Sequence, residues 1–207
     1  MTDQMEERKS GGCLRSIIEL VVVVAVAFGL AFFVTTFVAQ PYEIPSGSME
    51  DTIQIGDKVF SEKVTQYTSD PKQGDIVTFK MYEDATTDGL YAHVSDAPKE
   101  LRNRLTEKVL IKRVIAVAGQ TVTLKGGKVY VDGTELDEPY TEGKVSEPLV
   151  GSSVVFPYTV PEGEVWVMGD NRTDSRDSRW FGSVPIDQVT GHAFFRYWPL
   201  DRIGLLD

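Results

Sequence analysis

Two stretches of the sequence set reactive side chains in unusual company. At 45–53 the chain reads PSGSMEDTI, with Ser46 and Ser48 on either side of Gly47 and an acidic pair close behind. At 109–119 it reads VLIKRVIAVAG, where Lys112 and Arg113 interrupt a run that is otherwise apolar on both faces of an extended strand. A serine hydroxyl is a weak nucleophile until a base takes its proton, and a lysine can be that base only when neutral. At an ordinary pKa of about 10.4 roughly one amine in 2,500 is neutral at pH 7, whereas desolvation lowers a lysine by several units. A shift of about three units amounts to roughly 4 kcal/mol of differential interaction, which an apolar cleft can impose.

Two readings of Lys112 fit these residues. In one, the side chain extends its ammonium past apolar neighbours to water; in the other, it is a buried general base beside a serine. A period of two puts Lys112 on one face with Leu110, Val114 and Ala116, and Arg113 on the other with Ile111 and Ile115. Arg113 suits a structural ion pair, because a guanidinium does not lose its proton on burial.

Other candidates for a base are weaker. His93 lies in a polar stretch and His192 begins the run GHAFFRYW, neither in a recognisable triad context. The nucleophile-elbow pattern G-x-S-x-G fails around Ser48, since Ser46 and Glu50 stand where the glycines belong. Ser69 and Lys72 match S-x-x-K by spacing, but Pro71 forbids the regular helix that would align them. The one cysteine, Cys13, precedes the apolar segment, so the chain beyond it has no thiol for disulfides, zinc or nucleophilic chemistry.

The elements that must carry these side chains follow from hydropathy and charge. Leu14 to Ala39 is predicted as a transmembrane helix, and from Leu20 to Ala39 it carries no charge. A cleaved secretory signal is the competing reading, but its apolar region is usually shorter, and cleavage after Ala39 would put Phe37 where a small residue belongs. Arg8, Lys9 and Arg15 precede the helix and the first lysine after it is Lys58, so the N-terminal segment 1–13 is expected inside and the larger domain outside. Three of the 21 basic and four of the 31 acidic residues precede residue 40, so the remainder carries −9 of the net −10. No basic block is long enough to track a phosphate backbone, which argues against nucleic acid as a partner. Ser48 lies nine residues past Ala39, within at most about 30 Å of extended chain.

Beyond the anchor, short alternating runs broken by Gly, Asp and Pro predict a mainly β fold. Strands are expected over Asp57–Lys63, Asp75–Lys80, Val109–Ala118, Thr121–Lys125, Lys128–Asp132, Glu164–Met168 and Gly191–Trp198. Gly126-Gly127 reads as a tight hairpin turn, because glycine accepts positive φ. The polar stretches 81–108 and 135–151 read as surface excursions, the first with a short helix over Pro98–Lys108.

Four segments in order, PYEIPSGSMEDTIQIGD at 41–57, GDIVTFK at 74–80, LIKRVIAVAGQTV at 110–122 and VMGDNRTDSRDSRWFGSVP at 167–185, resemble the bacterial type I signal peptidases. These are membrane-anchored serine proteases with a Ser-Lys dyad, and the single apolar span resembles the shorter, Gram-positive type. The resemblance implies an antiparallel β-sheet catalytic core over 40–120 and 166–207, a smaller variable β-lobe over 121–165, and one N-terminal transmembrane helix over 14–39. It implies Ser48 as nucleophile, Lys112 as general base, Ser46 and the Ser48 N–H as oxyanion donors, and Ser175 as the hydroxyl orienting the lysine. Gly47 would permit the tight turn that exposes Ser48. Ile44, Pro45, Met49 and Ile111 match pocket positions, Asp177 and Arg179 a pair that holds their loop, and Asp170 a partner for Arg113.

The implied partners are preprotein signal peptides with small residues at the first and third positions before the cut, together with membrane lipid. The implied place is a bacterial cell membrane, and no metal or organic cofactor is called for. Trp180 and Phe181 read either as interfacial anchors or as packing for their loop. Asn171-Arg172-Thr173 also matches a glycosylation acceptor. The rivals are a tethered binding protein on a dead protease scaffold, opposed by intact Ser48, Lys112 and Ser175, and a self-cleaving repressor, opposed by the lack of a basic patch.

Overall fold

The computed structural model of the chain describes residues 7–82 and 107–206. They fall into two compact units, Met1–Ala39 and Gln40–Asp207. The first is helix α1, Glu7–Phe33, continued by a π-helical turn at Val34–Val38. From Arg15 to Val38 it offers 24 residues of mean hydropathy 2.9. At about 1.5 Å per residue that is roughly 36 Å of helix against about 30 Å of hydrocarbon. The helix stops one residue short of the predicted Ala39, which is already extended at φ −146° and ψ 137°. Pro41 supplies the reason, since it has no N–H to continue the ladder.

The second unit is built on two antiparallel sheets. The larger contains β1 (Ala39–Glu43), β2 (Lys58–Glu62), β3 (Ile76–Tyr82), β4 (Glu107–Val117), and the later strands β9 (Glu164–Met168), β10 (Val184–Pro185), β11 (Val189–Trp198) and β12 (Gly204–Leu205). Their order is β1-β2-β11-β3-β4-β9-β10, with β12 beside β11. The sequence reading missed β1, whose internal Pro41 is tolerated because this strand lies at the edge of the sheet. The smaller sheet has the order β7-β6-β5-β8, from β5 (Thr121–Lys125), β6 (Lys128–Val131), β7 (Thr134–Glu135) and β8 (Tyr158–Thr159). Gly126 and Gly127, at φ 60° and 79°, make the predicted turn between β5 and β6. Glu164 and Val165, expected at the end of the lobe, belong to β9 of the larger sheet.

Strand β4 holds the domain together. Its register with β3 runs from Ile76 opposite Arg113 to Tyr82 opposite Glu107. β9 pairs with it only from Arg113 onward, so the far edge of β4 from Glu107 to Lys112 meets no strand among the described residues. Along β4, Ile111 enters one buried cluster with Ile44, Met49, Ile53 and Ala193, Val114 enters a second with Phe79 and Val167, and Ile115 enters a third with Val122 and Trp166. The strand thus joins both sheets. Glu107 and Lys108, expected to close a helix, open this strand; residues 98–106 and His93 lie outside the described residues.

Candidate active site

The turn that carries Ser48 is short and internally bonded. Glu50 N–H donates to the Gly47 carbonyl at 3.1 Å and Ile53 N–H to the Met49 carbonyl at 2.8 Å. It is anchored below by Ile44, whose N–H reaches the Asp57 carbonyl and whose carbonyl accepts from Gly56, each at 2.9 Å. Gly47 does not take a left-handed φ, so backbone strain is not what favours glycine there. A Cβ at that position would instead meet the Glu50 carboxyl at 2.9–3.0 Å, the movable end of a side chain. Ser46 is exposed and Ser48 half-buried.

Lys112 arrives from the middle of β4, opposite Val77. It is 3% exposed. Its Nζ donates to Ser48 Oγ at 2.6 Å and to the Ile111 carbonyl at 3.0 Å, and among the described residues no carboxylate pairs with it. Burial pulls the ammonium down to about 8, while the charges of Asp177 and Asp170 oppose that fall without cancelling it. About one amine in ten is then neutral at pH 7. With the amine neutral, the same separation lets the hydroxyl donate to the nitrogen.

The loop between β9 and helix α2 (Ser178–Phe181) closes over this pair. Asp170 receives Arg113 as a fork, Nε at 3.0 Å and Nη2 at 2.8 Å, and accepts the Thr52 hydroxyl at 2.6 Å. Arg113 also donates to the Gly74 carbonyl at 3.0 Å. Asp177 accepts from Gly169 N–H at 3.1 Å and from the Arg179 N–H, Nε and Nη2, which folds the loop on itself. The structure therefore brings together Ser48 with Lys112, Arg113 with Asp170, and Asp177 with Arg179.

The structure also places Ser175, the pocket residues and the Trp180-Phe181 pair. The hydrogen bond implied between Ser175 and the lysine amine is not formed: Ser175 Oγ is buried and has no hydrogen-bond partner among the described residues. Its side chain and the Ser48 carbonyl crowd the α-carbon of Gly169 so closely that a Cβ there would collide with both. Among the proposed pocket residues, Ile44, Met49 and Ile111 pack in one cluster and Pro45 is exposed. Met49 has no accessible surface, so it can back a wall but not form its face. Phe181 packs on Phe79, with ring centroids 6.3 Å apart, which assigns it to the core, while the Trp180 ring stacks on the Arg176 guanidinium at 4.9 Å.

Sequence reasoning also missed how the nucleophile turn is held. Asn171 donates its N–H to the Ser48 carbonyl at 3.1 Å and its side-chain amide to the Gly47 carbonyl at 3.0 Å. The tripeptide it opens matches a glycosylation acceptor, but this side chain is buried and its amide is engaged. The only signal for its role was its position inside the MGDN segment. Gly169, in the same segment, is needed for close approach. His192, by contrast, lies 4.0 Å from Asp75 at a partly exposed point of β11.

Residues 17–198 match the family model described as signal peptidase, peptidase S26. The chain is 39% identical to a probable signal peptidase I-2 of Synechocystis, over 86% of this chain and 71% of that protein. It is 34% identical to a probable signal peptidase I of Mycobacterium leprae, over 90% of this chain and 78% of the relative. A crystal structure of a signal peptidase I from Enterococcus faecalis overlays 59% of this chain and 95% of that one, with a TM-score of 0.40 and 28% identity.

Proposed function

Because the chain belongs to the signal peptidase family, the serine peptidases S26, we propose that it removes N-terminal signal peptides from translocated preproteins through Ser48 and Lys112. The observation that carries this reading is the 2.6 Å separation of a half-buried serine hydroxyl from a buried amine. Neutral Lys112 takes the Ser48 proton as the oxygen attacks the scissile carbonyl. The resulting oxyanion is held by the Ser46 hydroxyl and the Ser48 N–H, donors typically worth about 3 kcal/mol each in the transition state. The Lys112 ammonium returns the proton to the leaving amine, and the signal peptide remains esterified to Ser48. Water, deprotonated by Lys112, then releases it. This sequence needs neither metal nor organic cofactor.

The edge of β4 at 109–112, beside which no further strand pairs among the described residues, is suited to receive the signal peptide as an added strand, which sends alternate side chains toward the protein. Ile44, Pro45 and Ile111, backed by Met49, leave room for small residues at the first and third positions before the cut, the A-x-A pattern. A bulky side chain would clash there and a charged one would lose its hydration without a partner. The apolar helix anchors the enzyme in the bacterial membrane once, with segment 1–13 cytoplasmic and the catalytic domain on the far side, as the flanking basic residues favour. In this reading Asp170 with Arg113 and Asp177 with Arg179 hold the loop.

The test is to incubate the full-length protein in detergent with a labelled preprotein and sequence the new N-terminus. Cleavage after A-x-A that disappears in Ser48→Ala is the expected result. Processing by Ser48→Ala at the wild-type rate rejects the reading.

A further inference from the structure

The loop that holds the Ser48 turn is itself gripped by the smaller lobe. Arg172, next to Asn171, is 1% exposed. Its Nε donates to the Gly169 carbonyl at 3.0 Å, and its own carbonyl accepts from Arg179 Nη2 at 2.8 Å, so one end of the residue belongs to the loop. The guanidinium is planted elsewhere. Nη1 donates to Glu138 Oε2 at 2.9 Å and to Ser146 Oγ at 2.6 Å, and Nη2 donates to Glu138 Oε1 at 2.5 Å. Glu138 thus meets a buried cation as a two-pronged fork, the geometry in which an arginine is held most rigidly.

The next turn of the lobe reaches the other arm of the site. Tyr140 donates its hydroxyl to Glu138 Oε1 at 3.1 Å and lays its ring over the Arg113 guanidinium, 4.0 Å from the ring centroid, with Arg172 at 5.9 Å. Burial, and then the Glu138 charge, push its phenol above the ordinary range, so it stays a neutral donor. Glu138 therefore stands at the junction of two chains of contact. One runs through Arg172 and Asn171 to the carbonyls of Gly47 and Ser48, and the other through Tyr140 to Arg113, the residue after Lys112.

We propose that Glu138 is a positioning residue for Ser48: a carboxylate of the smaller lobe that, through Arg172, sets the grip of Asn171 on the nucleophile turn. The proposal rests on the Ser48–Lys112 reading. It makes the lobe part of the catalytic machinery and not only a cover. Without the Glu138 charge Arg172 is buried unpaired, and the loop relaxes to relieve it. A displacement of about 1 Å at a reacting centre is enough for roughly a hundredfold loss.

The experiment compares Glu138→Gln, Glu138→Asp and Glu138→Ala with wild type and Ser48→Ala in detergent, measuring kcat, KM and thermal midpoint on a labelled preprotein. Glu135→Gln is the matched control, an exposed carboxylate of the same lobe paired with Lys128. Glu138→Gln, which keeps the volume and one acceptor, is expected to lose about 10- to 100-fold in kcat with KM within about twofold. Glu138→Asp should recover part of the loss and Glu135→Gln should lose nothing. Glu138 borders a cleft of about 440 Å³, so acetate added to Glu138→Ala is expected to restore kcat.

Should Glu138→Ala fail to fold, Glu138→Gln and Glu138→Asp carry the test. A Glu138→Gln enzyme with kcat within twofold of wild type, or with only KM or the thermal midpoint changed, overturns the proposal while the Ser48–Lys112 reading stands. Cleavage that survives in Ser48→Ala overturns that reading, and the assignment of Glu138 with it.

Discussion

The two faces of β4 bury adjacent cations to the same depth and treat them in opposite ways. Arg113, 2% exposed, meets a forked carboxylate, a backbone carbonyl and an aromatic ring. Lys112, 3% exposed, meets a serine hydroxyl and a backbone carbonyl. The difference lies in what each group can give up. A guanidinium keeps its proton in any protein environment, so its burial must be matched by an anion. An amine can lose its proton, and burial without a bonded carboxylate makes it lose one more readily. One strand thereby supplies a structural charge on one face and a candidate base on the other.

The sharpest way to break this contrast is to give the Lys112 face the chemistry of the other. Lys112→Arg should lose about 10³-fold or more in kcat, as should Lys112→Ala, because neither can accept the Ser48 proton. Single-turnover cleavage of a labelled preprotein measures the loss. Removing the anion from the opposite face should act on stability. Asp170→Asn leaves Arg113 buried without its counter-charge, and denaturant unfolding should record a loss of about 3–5 kcal/mol.

Lys112→Met should do the reverse, raising stability by up to about 3 kcal/mol at pH 7 while abolishing cleavage. The sign follows from linkage. The folded lysine titrates near 8 and the unfolded one near 10.5, so the unfolded chain binds more protons between those values. Native stability of the wild type therefore rises with pH through that window, and the Met variant should not show the rise. The mildest test is the pH profile of kcat/KM. It should climb about tenfold per unit toward pH 8 and level off above it, reporting the free enzyme's base.

Much of the fold could be read from local pattern. β5 and β9 begin and end as the alternation of their residues predicts, and the glycine pair between β5 and β6 takes the positive φ its turn requires. The two-residue strands β7, β8, β10 and β12 carry no such pattern, because each is defined by the neighbour it bonds. β1 was hidden for a related reason: a proline inside a strand argues against it until the strand is known to lie at an edge. Within the site, Ser48 and Lys112 stood out by type and context. Asn171, Arg172 and Glu138 did not, since buried amides and ion pairs look like surface turn residues in the primary structure. Ser175 shows the opposite failure, a role inferred from a motif whose hydrogen bond is not formed here.

Residue order alone determined that an apolar helix precedes a β domain, that a serine turn follows it closely, and that a lysine and an arginine occupy successive positions of one apolar strand. It did so because hydrophobic period, turn chemistry and alternation act over a few residues. Only the tertiary structure decided that this lysine faces Ser48 and not water, and that the arginine meets Asp170, 57 residues away. It alone also showed the lobe gripping the loop through Glu138 and Arg172. Those outcomes depend on which surfaces sheet pairing closes over a charge, and desolvation is a property of the closed fold rather than of any segment.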